Sequence, residues 1–153
     1  RPTAGPMSDI VTLCVEDLAK KVKDIGEFGS VGKEKVFSVY SEDDLLDKSK
    51  LLKFPAVGMM YEGLRSVPGA DPSRQGLGAE IGMALVLLME TKSVGGINSQ
   101  NEAVRLLGLM RRAIKVTVSP TNHKWRFISE VPGGVLGNAV VYVQRWSTSA
   151  PNP

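Results

Sequence analysis

Two long apolar runs flank a loop of turn-forming residues between positions 54 and 91. The first reads FPAVGMMYEGL and the second LGAEIGMALVLLMET, with RSVPGADPSRQG between them. Val, Leu, Met and Tyr suit a pleated surface, and the Gly/Pro-rich connection ends one run before the next begins. The pattern predicts two adjacent strands, residues 56–64 and 79–91. Both carry apolar residues at odd and even positions, so both faces of each are expected to be covered, by helices or by a neighbouring subunit. Gly58, Gly63, Gly78 and Gly82 mark expected bulges or close backbone approaches.

The rest of the chain arranges itself around that pair. Met7, Ile10, Val11, Cys14, Leu18, Val22 and Ile25 recur at helical spacing, which predicts a helix over 7–25 with Ser8 as its cap and Gly26 as its stop. GEFGSVGKEK reads as a flexible turn, and KVFSVY (35–40) as a strand. Ser41 opens a short helix whose first turn holds Glu42, Asp43 and Asp44, and whose end carries lysines, as the helix dipole favours. Pro55 stops that helix from running on. Ser99 and Glu102 form a capping box for a helix with Ala103, Leu106, Leu107, Met110 and Ile114 on its inner stripe. KWRFISE (124–130) alternates as a strand, VPGGVLG is expected to be a turn, and residues 138–146 form a last strand. The fold class is therefore α+β: a mainly antiparallel sheet of about five strands, with two long helices and one short helix packed on it. One domain over 7–148 is expected, with flexible arms at 1–6 and 149–153.

The chain has 153 residues, with 42% hydrophobic and 23% charged residues, as in an ordinary globular domain. A net charge of +3 is too small to imply nucleic-acid binding, although a local basic patch remains open. The sole cysteine, Cys14, has no partner for an internal disulfide and falls on an apolar stripe. No secretory signal is read, the longest apolar stretch is too short for a bilayer, and a soluble intracellular protein is expected.

Chemistry-bearing motifs fail on spacing. The run from Gly26 to Lys33 has Glu27 where a phosphate loop needs Gly, and Glu34 where it needs Ser or Thr. His123 is the only histidine and no Cys/His metal set exists. No catalytic residue, metal or cofactor is expected. The candidate contact residues are Arg65 and Arg74 around the long loop, Arg111 and Arg112 near a helix end, and Tyr142 and Trp146 on the last strand. The arginines could meet nucleic acid or an acidic partner, or simply be solvated. The aromatics could be core or interface anchors.

FPAVGMMYEGLR after a short acidic helix, a strand ending LLMET, a helix NEAVRLLGLMRRAI and a closing strand VVYVQRW together resemble the tail terminator (tail completion) proteins of long-tailed bacteriophages, most closely the Mu-like group of small tail proteins. The likeness spans about residues 7–148 and is most specific over 55–63. It implies an α+β virion protein with no enzymatic activity, assembled in the host cytoplasm as a ring, usually of six subunits, at the head-proximal end of the tail tube. The implied partners are its own copies, tube and sheath proteins, neck or connector proteins and DNA passing nearby, with no membrane. A stopper or joining role, and a small nucleic-acid or protein-binding module, are the alternatives.

Overall fold

In the computed structural model, residues 9–28, 35–50, 53–67, 78–90 and 97–151 are described. The elements run α1 (Ile10–Lys23), a 3-10 turn (Gly26–Phe28), β1 (Val36–Val39), α2 (Glu42–Ser49), β2 (Ala56–Ser66), β3 (Ala79–Glu90), α3 (Ile97–Lys115), β4 (Arg126–Leu136) and β5 (Ala139–Ala150). The five strands form one sheet in the order β1-β2-β3-β5-β4. β1 pairs with β2 in parallel and the other three pairings are antiparallel. This is an α+β fold.

Period-2 patterning sorts the central strands. Ala79, Ile81, Met83, Leu85, Leu87 and Met89 all point to one face of β3, where the stripe Cys14, Leu18 and Val22 of α1 meets the stripe Ala103, Leu106, Leu107, Met110 and Ile114 of α3. On the other face Val86, Leu88, Ala56 and Val141 pack under Leu45 of α2 and Val39 of β1. Gly58 allows that closeness, because a Cβ there would lie 2.7 Å from a Val39 methyl. α2 begins as expected, with the Ser41 hydroxyl accepting from the Asp44 amide at 3.1 Å.

Coverage of both faces holds for β3 from Met83 to Met89 and for the first half of β2. It fails beyond Met60, where Tyr61, Glu62, Arg65 and Ser66 are exposed. An extra residue between Tyr61 and Gly63 shifts the register there, and Gly63 takes φ 118°, a conformation that a side chain would strain.

Several sequence expectations are corrected. Residues 26–28 of the expected flexible turn are a 3-10 turn that buries Phe28. α1 ends at Lys23 with Asp24 as its C-cap, before Gly26, and its N-cap is Asp9, whose side chain makes no cap bond; Ser8 lies outside the described residues. α3 starts at Ile97, so Ser99 lies inside the helix and not at its N-cap position. VPGGVLG is not a turn: it continues β4, bulged between Pro132 and Gly134, and the chain reverses at Gly137-Asn138. The expected flexible tail at 149 onward begins inside β5, where Ala150 is buried against Ala79.

Candidate assembly interface

β4 lies at one edge of the sheet, so the outer side of its backbone has no strand partner among the described residues. Such edges invite pairing with another chain. This one carries exposed Phe127, Ile128, Val131 and Val135, the last two at 44% and 68% exposure. Phe127 and Val135 share the face of their β5 partners Trp146 and Val140, and Val131 that of Val143, so apolar side chains are exposed on both faces of this edge, with register shifts at 128 and 133. Sequence reading missed this strip because it assigned half of β4 to a turn.

Beside β4, the C-terminal end of α3 and the strand's first residues enclose an open groove of about 810 Å³. Its floor is aromatic. Trp146 is almost fully buried, and its ring meets that of Phe127 edge-to-face with centroids 5.5 Å apart. Its rim is cationic: Arg111, Lys115, Lys124 and Arg126 line the groove with no acidic residue among the lining side chains.

Arg111 and Arg126 are each anchored from below. Arg111 donates to both Glu130 carboxylate oxygens, at 2.5 and 2.6 Å. Glu130 in turn accepts from Gln144, so the α3 terminus is fixed to the sheet. Arg126 donates to Glu80 at 2.6 Å, and Arg65 reaches the same carboxylate through its Nε at 2.7 Å. Glu80 is held below the usual carboxylate range, chiefly by the Arg65 hydrogen bond and further by Arg126. On the same open face of the sheet Arg145 bonds both oxygens of Glu62 at 3.2 Å.

The six residues singled out in the sequence therefore fall into different settings. Arg65 is in an ion pair on the open sheet face, and Arg111 is in one at the groove. Arg112 is exposed beside the groove, with no ion-pair partner among the described residues. Tyr142 is half-buried and packs against the main core. Trp146 is a core side chain whose indole N–H bonds Gln144, so it forms the groove's floor and is no exposed anchor. Arg74 lies outside the described residues, as do residues 68–77 of the long loop.

The groups with chemical potential are dispersed. Cys14 is buried, and its thiol is pushed up to about 11, first by burial and then by Asp17. His123 sits in an exposed turn, and among the described residues its ring makes no hydrogen bond; its carbonyl accepts from the Ser119 amide. No group of three His, Cys, Asp or Glu among the described residues could hold a metal ion, and no described helix is long and apolar enough to cross a membrane. What the arrangement offers is contact surface: an apolar edge, a basic groove with an aromatic floor, and a charged open face. No protein-family model matches this chain, and no curated protein matches it.

Proposed function

We propose that this chain is a structural virion protein that forms a ring, with six subunits as the leading number, at the head-proximal end of a phage tail. There it ends tube polymerisation and presents the surface that the head side joins. The observation that carries this reading is the exposed apolar edge of β4 (Phe127, Ile128, Val131, Val135) beside a basic groove. A closed ring is built from heterologous contacts, one surface of a subunit against a different surface of the next. Among the described residues this edge and groove lie at the β4 side of the sheet, which suits that geometry. The resemblance over residues 55–63 points to the same role. A stopper or head–tail joining protein would use the same surfaces in the same way.

The experiment is to produce particles lacking this chain and image them by electron microscopy. Tails of uncontrolled length, or complete tails without heads, are expected. Normal virions would remove the reading.

A further inference from the structure

The surface that would fill the basic groove is present on the opposite side of the same molecule. Tyr40 follows directly after β1, at the other edge of the sheet, and is 84% exposed. A tyrosine held that far out of the core is unusual, because its ring gains most from burial. Next to it are exposed Glu42, Asp43 and Asp47 on α2. Asp44 is already engaged: it accepts from the Tyr40 amide and pairs with Lys48, whose ammonium also lies 5.1 Å from the Tyr40 ring. The result is a ridge of one exposed aromatic ring with Lys48 over it and the exposed carboxylates of Glu42 and Asp43 nearby, Asp47 lying 3.9 Å from Lys50.

The groove is its complement in sign and in character. Lys115 and Lys124 are exposed at it, whereas Arg126 and Arg111 are already paired with Glu80 and Glu130, and Phe127 and exposed Val116 supply apolar contact. The register also places ridge and groove at similar heights on the sheet. One row of paired residues runs Val39–Met60–Ala84–Arg145–Ser129 from edge to edge. Tyr40 adjoins its first residue. Phe127 lies just along β4 from its last, opposite Trp146.

Resting on the ring reading above, the geometry points to a head-to-tail contact between copies of this chain, in which the Tyr40 and α2 acidic ridge of one docks in the Lys115/Lys124/Phe127 groove of the next. Because the two surfaces lie at opposite edges and similar heights, each docking leaves a free ridge at one end and a free groove at the other. Successive copies repeat the same contact, which closes into a ring when the rotation allows. The charges set direction and register, and the aromatic contact supplies the burial.

The test uses the whole chain and measures association by sedimentation and light scattering at low and moderate salt. The parent should associate, and more weakly as salt rises. A ridge variant (Glu42→Lys with Asp43→Lys) and a groove variant (Lys115→Glu with Lys124→Glu) should each associate at least about tenfold more weakly, at unchanged circular dichroism and melting temperature. Tyr40→Ala, which alters no charge, should weaken association as well. Equal parts of the ridge and groove variants should associate again in alternating order, because both remaining pairings, native ridge with native groove and reversed ridge with reversed groove, are complementary in charge. A chain with all four reversals should associate again.

Variants that assemble like the parent would overturn the inference while leaving the ring reading to stand or fall on the tail phenotype. A parent that stays monomeric at its solubility limit in low salt would also overturn it. Groove variants that lose salt-sensitive binding to short duplex DNA, while ridge variants change nothing, would assign the groove to phosphate recognition and overturn it too.

Discussion

Gln144 accepts the indole N–H of Trp146 on its Oε1 at 2.7 Å, although the two side chains belong to the same strand and both are buried. Its amide nitrogen donates to Glu130 at 2.7 Å and to the Leu107 carbonyl of α3 at 3.2 Å. One buried amide thereby joins β5, β4 and α3, and satisfies polar groups that would otherwise be shut away from water.

Gln144→Leu keeps most of the volume and removes all three bonds. The Trp146 N–H is left buried without its acceptor. Stability should fall by about 1–3 kcal/mol, the penalty for orphaned buried polar groups. Thermal denaturation would measure it, and a melting temperature equal to the parent's would show that water replaces the amide.

Leu107→Asp should abolish cooperative folding. Leu107 is buried between α3 and the sheet, and an unpaired carboxylate there costs at least several kcal/mol, on the order of the whole stability of a domain. Circular dichroism and a melting curve decide it. A folded protein with an unchanged transition would mean that this face of α3 looks outward.

Acid should weaken the open sheet face through Glu80. Its folded-state pKa lies below the ordinary 4.5, because Arg65 and Arg126 favour the carboxylate. The contribution is therefore complete above about pH 4.5 and disappears as the pH falls through the lower folded-state value. Glu80→Gln should flatten the pH dependence of the melting temperature in that window and leave its slope near neutrality unchanged. An identical acid profile for parent and variant would show that the two arginines do not stabilise the charge.

Cys14 should be inert towards alkylating reagents at neutral pH while the protein is folded. Burial keeps it a thiol, with a pKa of about 11, and reaction requires thiolate and access. Mass spectrometry after iodoacetamide treatment should find it unmodified in buffer and modified in denaturant. Rapid labelling of the native chain would mean that α1 opens readily.

Elements with a strong, uninterrupted period were legible in the sequence. The stripes Cys14–Leu18–Val22 and Ala103–Leu106–Met110–Ile114 are buried as their spacing predicts, and the Ser41 cap needs only local geometry. The second half of β4 was not legible, because Pro132, Gly133 and Gly134 are turn residues in most settings. At a sheet edge a proline's missing N–H faces outward at no cost, and glycines accept the bulge. The end of β5 was missed because Ser147 and Thr148 are small and polar. They are buried all the same: Thr148 bonds the carbonyls of His123 and Lys124, and Ser147 accepts from Arg126. For the candidate interface the arginines could be named, but their partners could not. Arg65 meets Glu80 and Arg111 meets Glu130 across sequence gaps that only the folded sheet closes. The ridge at Tyr40 left no periodic signal, since one exposed ring after a short strand looks like any strand end.

Ala150 pairs with Ala79, and the Val67 amide bonds the Gly78 carbonyl at 2.9 Å just beyond that pair. The end of β5 therefore lies beside Val67 and Gly78. A purification tag or fluorescent fusion attached there would crowd that end of the sheet. An insertion at the Gly137-Asn138 reversal, at the other end of β5, would leave it clear.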